Sequence, residues 1–163
     1  MKVLIAGVGN VLRGDDGFGV AVAQALGSEP LPDEVEVIDV GIGGIHLVQR
    51  LFDRADGLVV VDAVDLGRAP GTVMVIRPEV RDVRAMSLEE RHDQLADMHY
   101  STPERAFMLA RGLEILPPTT WIVGCQPWDA ERWGEGLSPA VAAAIRPAIA
   151  EVQRIVVEMG VEW

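Results

Sequence analysis

The stretch GVGNVLRGDDGFG, residues Gly7–Gly19, directly follows the apolar segment at residues 2–6. A short apolar, β-branched run that stops at glycines predicts a buried strand over residues 2–7. Asp15 stands where a side chain can cap a helix over residues 16–27. The chain therefore opens with a strand, a glycine-rich turn and a helix, a beginning typical of α/β folds.

Strand and helix patterns continue to alternate along the chain. The predicted strands cover residues 35–40, 57–64, 72–76 and 119–125, and the predicted helices cover 45–54, 101–115 and 138–159. Ser101 and Glu104 form a capping box, and Pro147 is expected to kink the last helix. Residues 79–98 are polar and weakly periodic, which indicates a loop with one helical turn at most.

The alternation predicts the fold class. Short, nearly all-apolar strands between amphipathic helices indicate an α/β fold with three layers. We expect a mostly parallel, twisted, five-stranded sheet with helices on both faces. In such sheets ligands bind outside the carboxyl ends of the strands. The functional residues are therefore sought at those ends.

Composition restricts the class of protein. The 163 residues, of which 49% are hydrophobic and 24% charged, predict one globular domain over residues 1–163. The net charge of −11 would repel a nucleic acid. No apolar run approaches the roughly 18 residues that span a bilayer, and the amino terminus lacks a signal-peptide pattern. Cys125 is the single cysteine, which fits a reducing cytoplasm. We expect a monomer, because there is no heptad stripe or obvious apolar patch, and we expect no membrane partner.

The glycine-rich turn departs from a dinucleotide-binding fingerprint. Gly7 and Gly9 match its first two glycines, but Leu12 stands where the third is required. Asp15 and Asp16 then place two negative charges where a pyrophosphate would lie. Unit charges 4 Å apart repel by about 1 kcal/mol even in water. An acidic residue at the end of the second strand, Asp39, suits a ribose, so a nucleotide-binding or metal-sensing module remains the alternative.

Three residues from distant parts of the chain are predicted at the carboxyl ends. Asp16 lies in the first turn of the first helix, where helix capping or surface exposure is the other interpretation. Asp62 ends an apolar strand, where an unpaired carboxylate costs several kcal/mol unless it is hydrogen-bonded, protonated or metal-bound. His99 lies just before a helix start. Two carboxylates and an imidazole suit a divalent transition metal such as nickel or zinc.

The other candidate groups have simpler interpretations. His46 falls inside a predicted helix, and His92 lies in a charged run typical of a solvated face. Cys125 is interpreted as a packed core residue and Ser138 as a helix cap. No G-x-S-x-G motif is present, so covalent catalysis is not predicted.

Together these motifs resemble the hydrogenase maturation protease family. The resemblance extends over almost the whole chain, and its most specific motif is the acidic pair after the first glycine-rich turn. The motifs that carry it are GVGNVLRGDDGFG (7–19), DVGIGG (39–44), VVVDAV (59–64), APGTV (69–73), HYSTPERAFMLARGLEILP (99–117), IVGCQP (122–127) and GLSPAVAAAI (136–145).

The resemblance implies an aspartic-type endopeptidase that uses no nucleotide. Its implied substrate is the large-subunit precursor of a nickel–iron hydrogenase, from which it removes a C-terminal extension after nickel insertion. The family's metal-contacting and catalytic positions map onto Asp16, Asp62 and His99, and the nickel is implied to arrive with the precursor. His92, seven residues before His99, is the alternative ligand.

Two further regions are secondary candidates. Asp39 and the glycine-rich turn Gly41–Gly44 lie beside the expected cleft, where glycines would permit a mobile backbone wall. Trp128 and Trp133 are interpreted either as a rim against the precursor or as structural anchors.

Overall fold

A five-stranded sheet forms the centre of the protein. The computed structural model describes residues 1–90 and 103–163. The strands are β1 (Val3–Val8), β2 (Val35–Gly41), β3 (Gly57–Ala63), β4 (Val73–Ile76) and β5 (Thr119–Cys125), in the order β2-β1-β3-β5-β4. All five predicted strands are confirmed, with ends that differ by one residue at most.

The sheet is parallel except at one edge. β1 pairs in parallel with β2 and β3, and β3 pairs in parallel with β5, whereas β4 runs antiparallel to β5. Every residue of β1 is buried, as is β3 except for its last residue. Strands covered on both faces read as continuous apolar runs, which explains the compositions of these two strands.

Helices cover both faces of the sheet. They are α1 (Phe18–Gly27), α2 (Gly44–Leu51), α3 (Pro103–Gly112), α4 (Pro139–Ala143) and α5 (Ile145–Glu158). One core cluster joins α1 and α5 to the sheet face that carries Ile5 and Val59. The other joins α2 and α3 to the face that carries Leu4 and Leu58. Successive strand residues point to opposite faces, so both layers follow from the strand sequences.

Two predicted helices begin or divide differently from expectation. The first helix is preceded by a separate 3-10 turn at Gly14–Gly17, and α1 starts only at Phe18. The last predicted helix is two helices that meet at Ala144, rather than one helix kinked at Pro147. Pro147 has no N–H to donate to the carbonyl four residues earlier, and its ring would collide with that carbonyl. The break therefore falls one turn before the proline.

The predictions between β4 and β5 are only partly correct for the part of the chain that is described. Val83–Ala85 forms a 3-10 turn and residues 88–90 are helical, so this segment contains more helix than the single turn expected. The helix predicted to reach residue 115 ends at Gly112, and Glu114 has a left-handed backbone with φ 59°. Ser101, the predicted helix cap, lies outside the described residues. No helix within the described ranges is both long and apolar enough to cross a bilayer.

The loops that follow the parallel strands lie at one edge of the sheet. We name residues 9–17, between β1 and α1, the acidic loop, after its residues Asp15 and Asp16, and residues 126–138, between β5 and α4, the tryptophan loop. Both follow the carboxyl ends of parallel strands and therefore lie at the same edge, together with the end of β3. The candidate site lies at this edge.

Candidate functional site

Two glycines let the first helix begin directly on the sheet. A Cβ at Gly19 would lie 2.1 Å from the carbonyl oxygen of Val61 and 2.3 Å from that of Val8. A Cβ at Gly7 would lie 2.2 Å from the carbonyl oxygen of Gly19. Only glycines permit this approach, so α1 starts against both β1 and β3. The close helix–strand packing that a dinucleotide fingerprint assigns to its third glycine is here supplied by Gly19, seven residues after Leu12.

The same loop folds back on itself at Gly9. Its φ of +140° is a conformation that other residues rarely adopt, and a Cβ there would lie 1.8 Å from the carbonyl oxygen of Asp16. The fold-back lets the Asp16 carboxylate accept a hydrogen bond from the Asn10 N–H at 2.9 Å. The glycines of the motif therefore serve packing and position Asp16 at the carboxyl edge.

Asp16 and Asp62 come together at this edge. Asp62, the penultimate residue of β3, is only 9% exposed, and its Oδ1 accepts the Ala63 N–H at 2.9 Å. Burial is the main cause that raises the pKa of Asp62 well above its ordinary value, and the negative charge of Asp16 is the second. Two carboxylates from distant parts of the chain are thus electrostatically coupled, in surroundings that disfavour their charged forms.

The pKa of Asp16 is raised as well. Burial is the largest cause; the Asn10 N–H and the positive charge of Arg13 oppose it, and Glu131 adds to it. Arg13 forms its ion pair with Glu131 on the tryptophan loop. Within residues 1–90 and 103–163, neither Asp16 nor Asp62 forms an ion pair with a lysine or arginine.

Glu104 is a third acidic group whose charge reaches the site. It is exposed in the first turn of α3, and its negative charge also raises the pKa of Asp62. Sequence reasoning assigned Glu104 only to a capping box. Its approach to Asp62 depends on how α3 lies against the sheet, which no local pattern reports.

The donor set suits a divalent cation. Coupled carboxylates with raised pKa values are stabilised by a positive ion, and carboxylate oxygens are common metal ligands. Both histidines proposed as the third ligand, His99 and His92, lie outside the described residues. Among the residues that are described, no group of three histidine, cysteine, aspartate or glutamate side chains is arranged to hold a metal.

Asp15 does not cap the first helix, contrary to the prediction. The cap position of α1 is Gly17, and no side chain bonds there. Asp15 is instead 1% exposed and accepts bonds from the N–H groups of Trp128 (2.9 Å), Asp129 (3.1 Å) and Ser138 (2.6 Å), and from the Ser138 hydroxyl (2.8 Å). Burial alone would raise its pKa, but these donors, the Ser138 N–H foremost, lower it. The intervening 3-10 turn directs Asp15 inward, away from the helix axis.

Ser138 occupies the predicted cap position of α4, and its carbonyl accepts the Ala142 N–H at 2.8 Å. Its side chain makes no capping hydrogen bond, and the hydroxyl donates instead to Asp15. Cys125 is fully buried in the core cluster that includes α1 and α5. Burial and then the Asp15 charge raise the pKa of the Cys125 thiol to about 11. The packing interpretation of Cys125 is therefore supported, since a thiolate is strongly disfavoured there.

The secondary candidates lie at the same edge but are more exposed. Asp39, near the end of β2, is exposed and accepts the Gly41 N–H at 2.9 Å. Gly41 has a φ of 59°, and α2 begins at Gly44, so the glycine turn connects β2 directly to its helix. His46 is exposed on α2, as the sequence indicated.

Large apolar side chains are exposed on the two loops at this edge. Trp128 and Trp133 on the tryptophan loop are 68% and 77% exposed, and Val11 and Leu12 on the acidic loop are also exposed. These four side chains are not anchored in the core. Exposed aromatic groups beside a functional site are typical of a protein–protein contact.

Comparisons with known proteins agree on one family. A family model described as hydrogenase maturation protease matches residues 20–155. The chain is 34% identical to the hydrogenase expression/formation protein HupD of Bradyrhizobium diazoefficiens, over 98% of this chain and 80% of HupD. It is also 34% identical to the hydrogenase 2 maturation protease of Escherichia coli, over 99% and 94% of the two chains. The solved structure of the E. coli hydrogenase maturating endopeptidase HybD is similar, with a TM-score of 0.76, 32% identity and 99% and 96% coverage.

Proposed function

The chain belongs to the hydrogenase maturation protease family, and on that premise we propose that it removes a C-terminal extension from a nickel–iron hydrogenase large-subunit precursor after nickel insertion. The endopeptidase class follows from the family. The observation that carries the finer proposal is the coupling of Asp16 and Asp62 at the carboxyl edge, where both pKa values are raised.

In this proposal the nickel belongs to the precursor and is recognised by the protease. Asp16, Asp62 and His99 complete part of its coordination sphere. A precursor that lacks nickel leaves two carboxylates repelling each other and is bound weakly. Each 1.4 kcal/mol of lost binding is about a tenfold loss of affinity, so two or three metal–ligand bonds suffice for a strong preference.

The same carboxylates also have the properties that peptide hydrolysis requires. A proton must leave the attacking water, and a proton must reach the leaving amine. A carboxylate oxygen of Asp16 or Asp62 that does not contact the nickel can accept the first proton and then donate it to the amine, a role that carboxyl pairs have in aspartic-type hydrolases. The raised pKa of Asp62 applies while the nickel is absent, because a bound cation lowers the pKa of a carboxyl ligand.

The exposed apolar groups fit a large protein substrate. We assign Trp128, Trp133, Val11 and Leu12 to contact with the precursor near its cleavage site, because they lie on the two loops that border the carboxylates. Indole rings contribute strongly to binding when a partner covers them.

The direct test incubates the protein with nickel-loaded and nickel-free large-subunit precursor and measures C-terminal mass loss by mass spectrometry. We expect cleavage of the loaded precursor only. Equal cleavage of both forms would refute recognition of nickel and leave the protease assignment intact. Cleavage of neither would refute the assigned substrate.

Alanine substitutions identify the third ligand. His99→Ala is expected to abolish processing, and His92→Ala, seven residues away in the same segment, is the matched control and is expected to retain it. The reverse result would transfer the ligand role to His92.

A further inference from the structure

The acidic loop and the tryptophan loop are bound to each other by main-chain hydrogen bonds. The Gly14 N–H donates to the Gly134 carbonyl at 3.0 Å, and the Gly134 N–H donates to the Leu12 carbonyl at 2.9 Å. The Asp15 N–H donates to the Asp129 carbonyl at 3.1 Å. The two loops, which belong to different ends of the chain, therefore form one surface.

The Asp15 side chain holds the two ends of the tryptophan loop at once. Its Oδ2 accepts from the N–H groups of Trp128 and Asp129, near the loop's beginning, and from the Ser138 hydroxyl. Its Oδ1 accepts from the Ser138 N–H at the loop's end. Each hydrogen bond found for this carboxylate leads to the tryptophan loop, and Trp133 lies on the span between the two attachment points.

We propose that Asp15 is a positioning residue for precursor processing, which fixes Trp128 and Trp133 relative to the neighbouring Asp16. This inference rests on the proposed function. Asp15 and Asp16 share one 3-10 turn, so any displacement of the tryptophan loop relative to Asp15 is a displacement relative to the carboxylate pair. We call the four hydrogen bonds to the Asp15 carboxylate the clamp. The clamp sets the distance between the surface that contacts the precursor and the groups that cleave it.

The four donors require a group that only accepts. An asparagine at position 15 has one carbonyl oxygen and one NH₂ group, and in either orientation the NH₂ faces an N–H or O–H donor. Asp15→Asn therefore leaves at least one of the four donors without an acceptor and weakens the clamp, with almost no change in volume. The main-chain bonds between the loops remain, so the fold is retained while the loop is loosened.

Asp129 provides a matched control on the tryptophan loop. Its Oδ1 accepts both the Glu131 N–H and the Arg132 N–H at 2.9 Å. Because both bonds use one oxygen, Asp129→Asn keeps them while removing the same negative charge. The pair of variants separates loss of the clamp from loss of charge.

The test compares processing kinetics of nickel-loaded precursor by the wild type, Asp15→Asn and Asp129→Asn. We expect Asp15→Asn to raise KM by about tenfold or more with kcat changed by less than about threefold, and Asp129→Asn to resemble the wild type. Circular dichroism verifies folding. Ser138→Ala removes a single donor and is expected to shift KM in the same direction by less, which supplies the test if Asp15→Asn does not fold.

A double-mutant cycle separates positioning from general destabilisation. Trp128→Ala is expected to raise KM in the wild type but to add little in the Asp15→Asn background, because the tryptophan is already misplaced there. Faster amide exchange at Trp128, Asp129 and Ser138 is expected in Asp15→Asn. Unchanged KM in Asp15→Asn, or full additivity with Trp128→Ala, would overturn the inference while wild-type cleavage upheld the proposed function. Absence of wild-type cleavage would overturn both.

Discussion

Asp15 and Asp16 are adjacent in the chain, yet they lie in opposite chemical environments. Asp15 is the more deeply buried, but four donors lower its pKa. Asp16 is half-buried, accepts one main-chain N–H and lies near Asp62, and its pKa is raised. Burial alone does not decide the charge of an aspartate. The number of donors and the nearest charges decide it.

The difference separates a region that stabilises the fold from one whose electrostatics oppose folding. The Asp15 pocket satisfies a buried charge and connects two loops. The Asp16–Asp62 pair concentrates negative charge without a partnering lysine or arginine in the described part of the chain, which lowers stability. Such arrangements are typical of functional sites.

The largest expected effect comes from replacing aspartate by asparagine in each region, which should change the free energy of unfolding in opposite directions. Asp62→Asn is expected to reduce processing on the order of 1,000-fold or more, and to raise the free energy of unfolding at pH 7 because it removes a buried carboxyl group whose ionisation the fold disfavours. Asp15→Asn is expected to lower that free energy by about 1–3 kcal/mol for each donor left without an acceptor. Urea unfolding and the processing assay measure both. If both substitutions destabilised the protein, the proposed difference between the two regions would be wrong.

A glycine pair tests how the two regions are brought together. Gly19→Ala places a Cβ 2.1 Å from the Val61 carbonyl oxygen, and is expected to cost about 2–3 kcal/mol and to weaken processing by displacing Asp16 from Asp62. Gly27→Ala is the control on the same helix, since a Cβ there meets nothing within 4 Å. It is expected to be neutral or to stabilise by up to about 1 kcal/mol. Equal effects of the two would show that the close approach is dispensable.

The pH dependence of stability should carry opposite signs for the two regions. The folded-state pKa of Asp62 lies well above the ordinary 3.8, so its contribution is fully present below that value and is lost as the pH rises through the raised pKa. The folded-state pKa of Asp15 lies below 3.8, so its contribution is present above that value and is lost as the pH falls. Urea unfolding between pH 3 and 7 measures both slopes.

In that series the wild type should lose stability with rising pH through Asp62 and gain stability with rising pH through Asp15. Asp62→Asn should remove the loss, and Asp15→Asn should remove the gain. Parallel curves for the two variants and the wild type would contradict the assigned environments.

The smallest effect is expected at Cys125, which belongs to the stabilising region. Its thiol pKa of about 11 predicts that iodoacetamide does not label the native protein at pH 8. Cys125→Ala is expected to preserve processing and to lower stability by about 1 kcal/mol. Loss of processing, or rapid labelling, would show that Cys125 has a functional role and is not only a packed core residue.

Local patterns were sufficient for the elements but not for their junctions. The strands were predictable because continuous apolar runs occur where a strand is covered on both faces. The start of α1 was not, because Asp15 has the ordinary properties of a helix cap and its true donors, such as Ser138, lie more than 100 residues away. The break at Ala144 was shifted because a proline disturbs the helix one turn before itself.

The sequence by itself determined the α/β class, the parallel strands and the family, because periodicity and glycine spacing are written into neighbouring residues. It also indicated Asp16 and Asp62, since strand ends in a parallel sheet share one edge. Only the tertiary structure decided that Asp15 is a clamp and that Glu104 acts on Asp62. These roles depend on which donors and charges surround a carboxyl group. Those groups come from residues far away in the chain, so the neighbouring sequence does not predict them.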